Sequence, residues 1–265
     1  MKVYRNLPAI KSREQRGRRI ALGGLAILFV GLLASFTPNW FPPDEPAANA
    51  LTGFIQRYWT VVSFGALAVG FIASNVGSYY INRFAPRRWP GSKKVARPDE
   101  LVENGLKGFD DKYALFLWGL DEVPYILVGP SGVRVFLVRS DKGTVTVYGD
   151  RWRERFSLGR LLTFLNREGL GNPTREIEET ERKVRELLQE GESSGELTVN
   201  AADIPIESAA VFINPAMQLE LENPSMPVLR VDQLKKYVRT KKEQQLNAGD
   251  VRAVTDYLLS VSALA

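Results

Sequence analysis

Hydrophobic positions are distributed unevenly along this chain of 265 residues. Two long stretches near its start, Ile20 to Pro43 and Tyr58 to Asn82, hold no Asp, Glu, Lys, Arg or His. Crossing a bilayer core of about 30 Å takes roughly 20 helical residues, so both are long enough to span. The pattern predicts a two-helix transmembrane hairpin within residues 20–82, with spans at about 20–39 and 58–81. Ala66, Gly70, Ser74 and Ser78 recur every fourth residue, and Gly31 and Ser35 repeat that spacing earlier. Small residues let helix backbones approach closely in lipid, which predicts that the two spans pack on each other through these positions. Asn75, polar inside the second stretch, is expected to hydrogen-bond a neighbouring helix.

Charge orients the hairpin. A basic leader, residues 1–19, carries Lys2, Arg5, Lys11, Arg13, Arg16, Arg18 and Arg19 against Glu14 alone. A basic linker, residues 83–98, carries Arg83, Arg87, Arg88, Lys93, Lys94 and Arg97. The intervening loop holds only Asp44, Glu45 and Arg57. Lys and Arg flank cytoplasmic span ends, so both termini are expected in the cytoplasm of a multi-pass protein of the cell (plasma or inner) membrane. Trp40, Phe41, Tyr58 and Trp59 suit the outer aromatic belt; Tyr79, Tyr80 and Trp89 suit the inner one. A cleaved signal peptide is the alternative for the first stretch, but the small-residue site Ala48-Asn49-Ala50 lies far beyond the apolar core ending near Phe36. The net charge of +5 conceals a division: leader and linker each contribute +6, the loop −1, and everything from Pro98 onward −6. The basic residues thus sit where they meet membrane lipid, while the acidic remainder lacks the footprint of a nucleic-acid binder.

Absence of His and Cys excludes Ser-His-Asp and Cys-His catalysis, zinc fingers, thiol redox chemistry and cysteine-ligated clusters. Any metal would be a hard cation held by carboxylates. No cofactor is expected.

Residues 99–265 read as one soluble α+β domain with a mixed sheet. A short helix is expected at Asp99–Gly105. Strands follow at Tyr113–Trp118, Val123–Val128, Val133–Val138 and Thr144–Tyr148, forming a meander. Gly129-Pro130-Ser131-Gly132 suits a type I turn, and lacks the Lys-Ser and following helix of a phosphate loop. Leu158, Leu161, Leu162 and Leu165 predict a helix over Ser157–Asn166. Asn172-Pro173 starts another, running to about Gln189, with a polar loop at Gly191–Gly195. Strands at Ala209–Ile213 and Pro227–Val231, then helices at Asp232–Arg239 and Asp250–Val261, close the domain. Asp110 and Asp111 read as loop residues. Trp152 reads as closing a sheet edge rather than stacking on a base.

The run Val123 to Gly143, VPYILVGPSGVRVFLVRSDKG, together with Asn172-Pro173, resembles the NERD (nuclease-related) domain family over roughly Asp99 to Arg239. That resemblance implies a PD-(D/E)XK nuclease-like core of order α-β-β-β-α-β. Carried over residue by residue, the family's metal-binding Asp falls at Pro124, its second acid at Leu137, and its Lys at Arg139; Glu176 stands where the family has Gln. Two carboxylates are needed to hold Mg²⁺ and activate water. Pro124 and Leu137 offer none, and Arg139 stays protonated and cannot act as a base. A two-residue turn at Pro130-Ser131 would set Pro124 opposite Leu137 and Glu122 opposite Arg139, making an apolar contact beside an ion pair. Glu103, Glu122 and Asp141 are the candidates for a relocated metal site. The resulting expectation is a catalytically inactive, membrane-anchored pseudoenzyme working in protein–protein interaction or assembly at the cytoplasmic membrane face. The alternatives are an accessory subunit of a larger membrane complex and a Mg²⁺-dependent nuclease with relocated acids.

Overall fold

The computed structural model describes residues 1–42, 46, 49–88, 91–120, 122–155, 171–240 and 246–262. Two compact units emerge: residues 1–10 with those from 96 onward, and residues 11–95. Asp44, Glu45, Ala48, Trp89 and the expected helix Ser157–Asn166 lie outside the described residues.

The architecture is α+β, with two long apolar helices and mixed sheets. Helix α1 (Leu7–Ser35) and helix α3 (Ala50–Phe84) are joined through a short α2 (Thr37–Trp40). Both long helices are long and apolar enough to cross a membrane. Each starts ahead of the apolar stretch that predicts it, α1 through residues 7–19 of the basic leader and α3 through residues 50–57 of the intervening loop. The first ends at Ser35 rather than near Asn39. Pro38, in the first turn of α2, lacks an N–H and would clash with the carbonyl four residues earlier. Asn49 starts α3 by accepting from the Thr52 N–H at 2.9 Å, while the Thr52 hydroxyl receives the Asn49 N–H at 3.0 Å.

Between α1 and α3 the packing is backbone on backbone. A Cβ on Gly24 would lie 2.5 Å from the Ser74 nitrogen, and one on Gly77 2.4 Å from the Ala21 nitrogen. Gly17, Gly24 and Gly31, seven residues apart, share this face of α1; Ser63, Gly70 and Gly77 answer it on α3. The Ser63 hydroxyl donates to the Gly31 carbonyl at 2.9 Å. Ala66, Gly70, Ser74 and Gly31 therefore pack as expected. Ser35 is exposed and turns back to the Leu32 carbonyl of its own helix, and Gly77 also meets α1, at Ala21, since a heptad spacing follows the helix face more closely than a strict fourfold one. Asn75 is buried but donates to Phe71 of its own helix at 2.7 Å, not to a neighbour.

The other unit is built on a six-stranded sheet of order β1-β2-β3-β4-β7-β9. Its strands are β1 (Lys2–Arg5), β2 (Ala114–Leu117), β3 (Tyr125–Gly129), β4 (Gly132–Arg139), β7 (Ile206–Phe212) and β9 (Val228–Arg230). Strands β2, β3 and β4 form an antiparallel meander; β1 joins β2, β7 joins β4 and β9 joins β7 in parallel. The turn expectation holds: Gly129 pairs with Gly132 and Ile126 with Val135. One expectation fails. β5 (Gly143–Tyr148) leaves the meander and forms a second, three-stranded sheet with β6 (Arg151–Glu154) and β8 (Met217–Glu222). Val145 and Val147 of β5 bury against Ile177, Phe212 and Met217, so that sheet packs on its apolar face, and the single mixed sheet becomes two.

Helices α4 (Pro98–Gly105), α5 (Pro173–Ser194), α6 (Leu234–Thr240) and α7 (Ala248–Ser260) cover the large sheet. Val184 and Leu188 of α5 and Val254 and Leu258 of α7 pack on Phe116, Ile126, Val133 and Val135. Helix α5 continues to Ser194, past the loop expected at Gly191–Gly195. Gly191 sits inside it as a notch for the Tyr257 ring, where a Cβ would meet Cζ at 2.4 Å, and Gly195 ends it at φ +77°.

Candidate functional site

Among the described residues the chain order runs α4-β2-β3-β4-β5-β6-α5-β7; the elements of the large sheet alone, without β5 and β6 of the small one, follow α4-β2-β3-β4-α5-β7, with β4 and β7 parallel. The positions of interest lie at the end of the β3–β4 hairpin away from its turn. Pro124 falls just before β3 and is half-buried. Leu137 packs its side chain on the cluster of Val145, Ile177 and Phe212. Arg139 is 5% exposed, and its Nη2 reaches both oxygens of Glu176 at 2.6 Å.

Glu176 lies in the first turn of α5, which Asn172 starts by accepting from the Arg175 N–H. A carboxylate there is favoured by the helix dipole. The acid is thus consumed in an ion pair with a guanidinium whose charge is fixed. This corrects the expected cross-strand pair: Glu122 does not meet Arg139. The ladder stops before it, and Glu122, 69% exposed, takes Lys183 of α5 at 3.2 Å. Hydrogen bonds to Glu122 and Glu179 raise the Lys183 pKa above its ordinary value.

The three acids considered for a relocated centre each have other surroundings. Glu103 on α4 pairs with Arg5 of β1. Glu122 pairs with Lys183. Asp141 is buried after β4. Among the described residues no group of three or more His, Cys, Asp or Glu is placed to hold a metal ion. The Asp110 carboxylate accepts from the Lys112 N–H in its loop. Trp152 donates from Nε1 to the Thr174 hydroxyl at 2.8 Å, and its ring lies 6.4 Å from that of Phe212; it closes the edge of the small sheet as expected.

Two ionic clusters were not visible in the sequence. On the first, Asp99 is 2% exposed at the start of α4. Arg97 grips it with Nε at 2.9 Å and Nη2 at 3.0 Å, and the Arg5 Nε lies 2.9 Å from its other side. Strand β1, with its alternating Lys2-Val3-Tyr4-Arg5, is therefore fixed both by its ladder and by a buried carboxylate. On the second, Arg134 of β4 is 1% exposed. Its Nε lies 3.2 Å from Glu207, its register partner on β7, its guanidinium lies 5.9 Å from the ring centre of Tyr237, and neither Nη1 nor Nη2 has a hydrogen-bond partner. Glu207 and Tyr237 also line a cavity of about 420 Å³ with Thr174, Glu178, Glu181 and Ser208, where the Ser208 hydroxyl donates to Glu181. Burial and the nearby Glu207 and Glu181 push the Tyr237 hydroxyl up to about 12, against a smaller opposing effect of Arg134. A one-in-two alternation in β4 marks position 134 as facing a sheet surface, but not that the surface is covered.

Comparison of the chain with family models, curated proteins and solved structures found no match.

Proposed function

We propose that this protein is a membrane-anchored, catalytically silent domain of NERD-like, PD-(D/E)XK nuclease-like type that works in protein interaction or assembly at the cytoplasmic face. One observation carries the topology. Strand β1 precedes the two span-length helices and β2 follows them, yet the two strands pair in one sheet from Lys2–Ala114 to Arg5–Leu117. A chain that crosses a membrane between two paired strands must cross it an even number of times. The basic leader and linker then mark that shared side as the cytoplasm. Cleavage at Ala48-Asn49-Ala50 would detach β1, so a retained hairpin is the reading compatible with the sheet.

Support for the silent nuclease-like core comes from the order α-β-β-β-α-β, which remains once β5 and β6 of the small sheet are set aside, and from the occupants of the positions that the resemblance assigns to metal. A proline, a leucine packed in an apolar cluster and an arginine locked to Glu176 have no oxygen ligands to offer a divalent ion. The accessory-subunit reading is weaker on the structure. The small residues on which that reading rests, Gly31 with Ala66, Gly70 and Ser74, are already used between α1 and α3.

The chain contains no cysteine, which makes topology directly testable. Single Asn49→Cys, Ser92→Cys and Ser194→Cys variants are treated with a membrane-impermeant maleimide on intact cells. Asn49→Cys should label at once, and the other two only after permeabilisation. Labelling of Ser194→Cys on intact cells would overturn the orientation. Purified protein with Mg²⁺ or Mn²⁺ should leave plasmid DNA intact; cleavage abolished by Glu122→Gln or Asp141→Asn would overturn the silent reading.

A further inference from the structure

The densest positive charge in the chain lies at one end of the helical hairpin. Lys11, Arg13, Arg16, Arg18 and Arg19 on α1, and Arg83, Arg87, Arg88, Lys93 and Lys94 at and after the end of α3, set ten cations against Glu14. These two basic segments are held together. The Arg18 Nη2 donates to the Arg87 carbonyl at 2.9 Å. The Arg13 guanidinium lies 5.7 Å from the Phe84 ring centre. Gly17 packs against Tyr80, where a Cβ would come within 2.4 Å of the Tyr80 Cβ.

The one acid is already spent, since Glu14 pairs with Arg18 at 3.0 Å. Arg16, Arg19, Arg87, Arg88 and Lys93 are exposed, and no described carboxylate pairs with any of them. Helix α1 has no acidic residue in its first turn to offset them. Such an assembly repels itself until anions are supplied. It lies directly beside the apolar stretches, at the depth where phospholipid headgroups would be.

We infer that this surface is a recognition site for anionic phospholipid headgroups, built from both helices and engaging phosphate through Arg16, Arg19, Arg87 and Arg88. The guanidinium fork suits phosphate oxygens in paired hydrogen bonds. Orientation alone requires only an excess of cations on one side; it does not require that the two segments be fastened to one another. The inference rests on the membrane-anchored reading, and the experiment separates the two.

The full chain is purified in mild detergent, incubated with equimolar phosphatidylglycerol and phosphatidylcholine, and its bound lipids are counted by native mass spectrometry. Bound phosphatidylglycerol should exceed phosphatidylcholine roughly threefold or more, as expected for several cations acting together on one headgroup. The Arg16→Gln, Arg19→Gln, Arg87→Gln, Arg88→Gln variant should bind the two lipids about equally, whereas replacing the same four by Lys keeps charge and should retain a partial preference. Equal binding by the wild type, or an undiminished preference in the Gln variant, would overturn the inference. Helical content by circular dichroism establishes that the variants are folded. Anchoring is read separately: alkaline carbonate should leave the protein in the membrane pellet, and its release would overturn the membrane reading itself.

Discussion

Replacing Glu207 by Gln removes the carboxylate partner of a guanidinium that is 1% exposed and has two terminal nitrogens without hydrogen bonds. Breaking a buried pair by deleting one member typically costs 3–5 kcal/mol, because the other charge is left in a poorly polar setting. Glu207 itself is 26% exposed, so water can reach part of the site and the lower end, about 3 kcal/mol, applies. For a domain of this size each kcal/mol shifts the melting temperature by about 2–4 °C. The Glu207→Gln variant, followed by circular dichroism in detergent, should therefore melt about 6–12 °C below the wild type. Replacing Arg134 by Met as well removes the stranded charge and fills similar volume, so the double variant should recover to within about 1 kcal/mol of the wild type. A Glu207→Gln melting temperature within about 2 °C of wild type, or a double variant as unstable as the sum of its singles, would refute the reasoning.

Asp99→Asn should loosen β1, since Asp99 is 2% exposed between Arg5 and Arg97; a loss of about 2–3 kcal/mol predicts amide exchange at Val3–Arg5 roughly 30- to 150-fold faster, and unchanged exchange would contradict it. Gly24→Leu forces the α1 and α3 backbones apart and should cost about 1–3 kcal/mol, read as a lower SDS midpoint for loss of helicity. Gly23→Leu, whose Cβ meets nothing within 4 Å, is the matched control and should leave that midpoint in place. The raised Tyr237 pKa gives a pH dependence of known sign. Between pH 10 and about 12 the folded state keeps a proton that the unfolded state has lost, so stability falls as pH rises through that window. The share of that fall owed to Tyr237 should be about 1 kcal/mol after allowing for the partly exposed ring, and Tyr237→Phe should reduce the fall by that amount, leaving what Tyr113 and Tyr257, whose hydroxyl pKa values burial also raises, contribute.

Legibility followed locality. The two apolar helices announce themselves by length, and the β3–β4 register follows from a two-residue turn, because both are set by residues adjacent in sequence. The limits of α5 were misjudged at Gly191, which reads as punctuation until Tyr257, 66 positions later, is seen to occupy the space above it. Strand β1 is hidden because Lys2 and Arg5 look like part of a basic leader; four residues, none of them fully buried, carry almost no periodic signal. Met217, Leu219 and Leu221 did alternate, yet β8 was missed among flanking glutamates. That Pro124, Leu137 and Arg139 carry no side-chain oxygen was readable, as residue identity alone decides it. That Arg139 would turn to Glu176 rather than Glu122 was not, because helix α5 brings its first turn over the strand end only once the sheet is assembled.

The pairing of β1 with β2 also imposes an order of events. Residues 2–5 leave the ribosome before their partners at 114–117, which emerge only after both long apolar helices have been synthesised. Closing a loop of that length is slow compared with local pairing, so the opening strand waits unpaired until then. On the proposed membrane reading, a chain that placed only one of the two helices across the bilayer would strand those residues on the far side from the sheet they complete. Insertion of both helices thereby becomes a precondition for finishing the fold, and half-inserted chains would be recognisable by an uncovered β2 edge.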